Sequence, residues 1–230
     1  MKIQGLQKLT LLDYPEKVAC TVFFAGCNFR CPFCHNASLV VTIPKVPQMN
    51  EEEFFGFLKK RQGILDGVCI TGGEPLLQTE LEPFIRKIKE LGFAVKLDTN
   101  GSLPEKLKYL VKQGLVDYVA MDIKNAPERY GETCGISDMK LEKIHESVEY
   151  LKKGHVPYEF RTTIVKDFHS ALEMEQIGKW LSGAKQYFLQ GFVDSGDLIE
   201  QGLQGLEVQK MQEFQGIAQK YIENVQLRGV

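Results

Sequence analysis

Cys27-Asn28-Phe29-Arg30-Cys31-Pro32-Phe33-Cys34-His35 gathers three of the chain's six cysteines into eight residues, at the spacing C-x3-C-x2-C. The stretch follows an apolar, β-branched run, Val18 to Phe24, closed by Ala25-Gly26. Cysteines this dense serve as ligands more readily than as core filling. A four-iron cluster ordinarily takes four thiolates, so three predict a cluster with one iron open to a small molecule. Zinc is the alternative, because the three thiolates and His35 make a four-ligand set. Adjacent residues such as Cys34 and His35 seldom both reach one small tetrahedral ion.

Around the triplet, β-rich runs alternate with amphipathic helices. Val18–Phe24 is apolar on both faces, as in a parallel strand buried on both sides. Asn50 with Glu53 predicts a capped helix start, with Met49 and Phe54 as its hydrophobic staple. Val68–Thr71 reads as a second strand running into Gly72-Gly73-Glu74-Pro75. A helix capped by Thr79 and Glu82 carries the stripe Leu81, Phe84, Ile85, Ile88 and Leu91.

Phe93–Leu97 is a third strand, ending in Asp98-Thr99-Asn100-Gly101, and Ser102 with Glu105 caps the next helix. Val116–Ile123 brings Asp122 and Lys124 to its end. A helix through Leu141 and Leu151, a strand Tyr158–Val165, a helix capped by Ser170 and Glu173, and a strand Tyr187–Gln190 follow. A Gly/Asp loop from Gly191 to Gly205 leads to a last helix at about 206–222 and a short strand at Val225–Leu227.

Six strand–helix units in series require right-handed crossovers and a parallel sheet. They are too few for a closed eight-stranded barrel, and no Gly-x-Gly-x-x-Gly turn marks a dinucleotide fold. The expected fold class is α/β, a partial (β/α)6 barrel of parallel strands. It forms one domain over 1–230 with its core at about 18–190. The polar groups gather at strand C-terminal ends, where parallel sheets place their sites.

The composition, 43% hydrophobic and 25% charged with a net charge of −2, offers no basic field for nucleic acid. Met1 to Lys17 is broken by charges and lacks a signal-peptide centre. No apolar run approaches the roughly 20 residues of a membrane helix. A cytoplasmic protein is expected, and in that reducing compartment clustered cysteines bind metal rather than pair.

Two glycines at a strand end let a ligand lie against bare backbone, with amides free to donate. The carboxylate of Glu74 would accept from an ammonium group. With the cysteine triplet, Gly72-Gly73-Glu74-Pro75 resembles the radical S-adenosylmethionine (SAM) superfamily. The resemblance implies one [4Fe–4S] cluster on Cys27, Cys31 and Cys34, with SAM chelating the fourth iron. It also implies reductive cleavage of SAM to a 5′-deoxyadenosyl radical.

Gly5 to Pro15, Cys34-His35-Asn36, Leu97 to Gly101 and Met121 to Lys124 further resemble glycyl-radical-enzyme activating proteins. Within that group the likeness is nearest to activators of anaerobic ribonucleoside-triphosphate reductase. Glu16 departs from the pattern, which would place a glycine after Asp-Tyr-Pro.

The resemblance implies Phe33 and His35 against the adenine, and Gly72, Gly73 and Glu74 at the methionine ammonium. Asp98, Asn100, Asp122 and Lys124 would surround ribose and carboxylate, Lys124 as a point charge. Arg161 and Gln190 would reach SAM or the incoming peptide. Related activators hold a monovalent cation near the positions of Asp98, Thr99, Met121 and Asp122. The implied partners are a glycyl radical enzyme and a flavodoxin- or ferredoxin-type electron donor.

A small-molecule enzyme resembling 7-carboxy-7-deazaguanine synthase is a rival, though that family tends to carry aspartate where His35 stands. An electron-carrying or zinc-binding module is another, but an electron carrier would want a fourth cysteine at suitable spacing. Cys20 and Cys69 read as core filling, Cys134 as a loop residue open to solvent. His169 carries no motif.

Overall fold

The computed structural model describes residues 1–230. A strand absent from the sequence reading opens the chain: β1 (Ile3–Thr10) pairs antiparallel with β2 (Ala19–Phe24). Only Ile3 and Thr10 of β1 are fully buried, so no period-two stripe marks it. From β2 onward each strand is parallel to the next: β3 (Gly67–Gly72), β4 (Ala94–Thr99), β5 (Tyr118–Asp122), β6 (Tyr158–Ile164), β7 (Tyr187–Gly191) and β8 (Val225–Arg228).

Every parallel crossover carries at least one helix. Helices α1 (Ala37–Val40) and α2 (Glu51–Lys59) join β2 to β3, α3 (Leu81–Glu90) precedes β4, and α4 (Pro104–Lys112) precedes β5. Helices α5 (Tyr130–Cys134) and α6 (Leu141–Lys152) precede β6, α7 (Ala171–Trp180) precedes β7, and α8 (Val208–Ala218) precedes β8. The strands follow sequence order, and β1 and β8 do not pair with each other. Six strand–helix units thus form an α/β partial barrel, extended by an antiparallel strand at one edge and a short parallel one at the other.

Two caps form as the sequence predicts. Asn50 and Glu53 exchange side-chain and backbone bonds at α2, as do Ser170 and Glu173 at α7. Each such cap contributes about 1 kcal/mol. Two others do not form. The residue before α3 is Glu80, and Glu82 instead accepts from Arg86 at 2.7 Å and from Tyr109. At α4 the start is made by Pro104, whose missing N–H costs nothing there. Ser102 turns away to accept from Asn28 at 2.9 Å.

The faces of the strands divide the molecule. Val68, Ile70, Val95 and Leu97 join the apolar core under the helices. Lys96 and Asp98, on the opposite face of β4, point into the curl of the sheet, and Lys96 is 1% exposed. Cys69 reaches that interior too, 3.7 Å from the Lys96 ammonium, rather than joining the apolar cluster with Cys20. Cys134 is not a solvent-facing loop residue: it ends α5 and is buried. No helix is long and apolar enough to cross a membrane.

Candidate functional site

The C-terminal ends of the parallel strands open onto one cavity of about 400 Å³, within the range of small-molecule sites. Cys27, Cys31 and Cys34 line it together. So do Phe33, His35, Gly72, Gly73, Asp98, Thr99, Asn100, Asp122, Lys124, Arg161 and Gln190. Two expected site residues do not: Glu74 and Met121 lie buried beneath it.

The Gly72-Gly73-Glu74 turn serves a different purpose from the one its composition suggests. Gly72 has φ +120°, and a Cβ there would meet the Phe24 carbonyl at 2.2 Å; one on Gly73 would meet the Gly26 carbonyl at 2.0 Å. The glycines are needed to pass β2, not only to admit a ligand. Their neighbouring amides are spent in the same place: Gly73 donates to Phe24 and Glu74 to Gly26, each at 2.8 Å. What the turn can offer an ammonium is therefore carbonyl oxygen. The Gly72 carbonyl already accepts from Asn36 at 3.0 Å, which ties the cysteine loop to the turn.

The Glu74 carboxylate points away from the cavity. It accepts from Thr99 Oγ1 at 2.9 Å and from the N–H groups of Asn100 at 2.7 Å and Leu76 at 3.1 Å. Burial pushes its pKa up to about 7, against the pull of those donors. Its place in the structure is a brace between the ends of β3 and β4.

A chain of opposite charges crosses the cavity floor. Lys96 pairs with Asp98; Arg161 bridges Asp98 at 3.3 Å and Asp122 at 2.9 Å; Lys124 pairs with Asp122 at 3.0 Å. Asp122 and Arg161 are register partners on β5 and β6, so their contact follows from the sheet. Burial would raise both carboxyls, but Arg161 with Lys96 holds Asp98 below its usual value, and Arg161 with Lys124 holds Asp122 at about 2. Burial works against the Lys124 ammonium, and Asp122 and Cys31 outweigh it, raising its pKa.

The donor set expected for a monovalent cation is thus differently engaged. Both carboxylates are ion-paired, Thr99 donates to Glu74, and Met121 packs against Gly101.

All six cysteines are free thiols. No three His, Cys, Asp or Glu side chains converge as ligands of a single ion. The His35 Nε2 instead lies 2.9 Å from the Val193 carbonyl, and its ring stacks on Phe192 at 5.3 Å. That arrangement disfavours the zinc reading. Three thiols spread around one cavity suit a larger, multi-iron group, and the Phe29 N–H at 3.4 Å from Cys27 Sγ is the kind of donor a bound thiolate accepts from. Burial pushes the Cys27 thiol up to about 11 and raises Cys34, whereas Cys134 beside Cys31 lowers Cys31.

Several contacts and residues of the site are not marked by any motif. Asn100 spends its side chain on Asn28 at 3.0 Å and lies 3.8 Å from Cys27 Sγ. Thr163 lines the cavity two positions after Arg161 on β6. The two-residue period from Arg161 was a usable signal, as was a lysine, Lys96, inside an otherwise apolar strand. Asp13 also lines the cavity, from the loop after β1, and accepts from Thr21 at 2.5 Å. His169 is buried, with Nε2 3.0 Å from the Lys124 carbonyl.

Comparison with known proteins gives four findings. The family model described as the Radical SAM superfamily matches residues 21–177. A Methanocaldococcus jannaschii protein named "Putative glycyl-radical enzyme activating enzyme" is 34% identical over 99% of this chain and 96% of its own length. A 7-carboxy-7-deazaguanine synthase from Koribacter versatilis is 30% identical, over 60% of this chain and 58% of its own. Among solved structures, Streptococcus suis SuiB bound to precursor peptide SuiA superposes with a TM-score of 0.70. It shares 13% identity and covers 91% of this chain and 48% of its own, a likeness of fold.

Proposed function

Because the chain belongs to the radical SAM superfamily, whose members bind a [4Fe–4S] cluster and SAM, we propose that it is the activating enzyme of a glycyl radical enzyme. The partner we assign is an anaerobic ribonucleoside-triphosphate reductase, with a flavodoxin- or ferredoxin-type protein as electron donor and the cytoplasm as the compartment. The observation that carries the activating role is the end-to-end match to the M. jannaschii protein. The synthase family matches only part of the chain.

Bound in this cavity, a cluster and SAM would supply radical chemistry through reductive cleavage of SAM. The chain's own residues do the holding. Cys27, Cys31 and Cys34 present thiolates to three irons. The carbonyls of the Gly72-Gly73 turn accept from the methionine ammonium, and Lys124, kept charged by Asp122, pairs with the carboxylate. Asp98 and Asn100 face the ribose, and Phe33 with His35 flanks the adenine. Arg161 and Gln190 line the side left for the partner's glycine. Arg161 is committed to two aspartates, so its part is to hold them in place.

The test is anaerobic incubation of the cluster-loaded protein with SAM, a reductant and the reductase. A glycine-centred EPR doublet on the reductase is expected. SAM cleavage without that doublet would overturn the activating role and leave family membership standing.

A further inference from the structure

The segment 192–204, between β7 and α8, runs back across the cysteine loop and is tied to it along its length. Phe192 stacks on the His35 ring, and the Val193 carbonyl lies 2.9 Å from His35 Nε2. Asp197 accepts from Ser38 twice, from its N–H at 3.2 Å and from its hydroxyl at 2.7 Å. The Glu200 N–H donates to the Pro32 carbonyl at 2.9 Å. Leu198 and Leu203 pack on the core, and the Gln204 carbonyl accepts from Lys166 beyond the end of β6.

The cysteine loop needs such support. It ends in α1, a four-residue helix far too short to hold itself. Asn36, at the cap position of α1, makes no cap, because its side chain goes to Gly72. The orphan N–H of Ser38 in the first turn is satisfied instead by Asp197, 159 residues away. The Asp197 carboxylate also complements the positive end of α1.

We propose that residues 192–204 are a strap that holds the cysteine loop in its cluster-binding form, with Asp197 as its positioning residue. The inference rests on family membership and not on the identity of the partner. It explains why a long connection with no helix of its own runs back to the cysteine loop: it completes from a distance what the short loop cannot supply locally.

The experiment compares the cluster-loaded wild type with Asp197→Ala, Ser38→Ala, the double variant and Asp197→Glu, under anaerobic conditions. The quantity read is the rate of cluster loss to an iron chelator. Asp197→Ala should lose its cluster about tenfold faster, the usual scale for removing a residue behind a metal ligand. The double variant should be no faster than Asp197→Ala, and Asp197→Glu should recover most of the retention.

Wild-type retention in Asp197→Ala, or additive effects in the double variant, would overturn the proposal. Should Asp197→Ala fail to fold, Asp197→Ser draws the side chain back from both Ser38 donors while staying polar, and wild-type retention there would overturn the proposal.

Discussion

Glu16 is the one non-glycine residue with positive φ, at +60°. The family pattern places a glycine there, and the backbone has kept the conformation that glycine favours. A side chain in that region costs about 1–2 kcal/mol, of which the extra backbone entropy of glycine offsets about half. Glu16→Gly should therefore stabilise the protein by about 1 kcal/mol, or about 2–4 °C in Tm, read by thermal unfolding. An unchanged or lower Tm would show that the strain is relieved elsewhere. Lys124 invites a second test. A charge-assisted hydrogen bond contributes about 1.5–3 kcal/mol, so Lys124→Gln should weaken SAM binding by roughly 10- to 100-fold in anaerobic calorimetry. Affinity within twofold of wild type would remove Lys124 from the carboxylate.

At the scale of elements, the junction of β6 and α7 is held by His169. The Val165 N–H lies 3.1 Å from Nδ1, so Nδ1 accepts and the Nε2 proton is directed at the Lys124 carbonyl. Burial lowers its pKa below the usual 6.5, opposed by the Lys124 and Val165 carbonyls and by Glu173, while Arg129 adds to the lowering. A depressed pKa means that the unfolded chain binds the proton more readily. The stabilisation is present above about pH 6.5 and is lost as the pH falls toward the folded value. Tm should drop between pH 7.5 and 5.5, and His169→Gln should flatten that slope; a slope unchanged in the variant would place the acid sensitivity elsewhere.

At the scale of the whole molecule, stability is unevenly spread. The sheet and its covering helices form one apolar cluster that Phe29, Cys31 and Phe33 join, whereas His35 and Ser38 are tied to 193–197 by polar contacts. A cluster that binds only the folded chain adds stability by mass action, about 4 kcal/mol at a thousandfold excess over Kd. Anaerobic chelation should lower Tm and release hydrogen-exchange protection in 27–40 and 192–200, with the strands unaffected. Loss of protection throughout the sheet would instead make the cluster part of the folding core.

Much of this was legible in the chain itself. Periodicity marked the six strand–helix units, and local spacing marked the cysteine triplet and the polar strand ends, because those signals lie within a few residues of one another. The caps at Asn50 and Ser170 were legible for the same reason; those expected at Thr79 and Ser102 failed because Arg86, Tyr109 and Asn28 offered other partners. Only the tertiary structure decided where side chains with several possible partners would go. It turned the Glu74 carboxylate toward Thr99 and Asn100, engaged the amides of Gly73 and Glu74 with β2, buried Cys134 beside Cys31, and brought Asp197 to Ser38. A hydrogen bond is satisfied by whichever partner the fold brings within about 3 Å, and the strands and loops that meet here lie up to 159 residues apart.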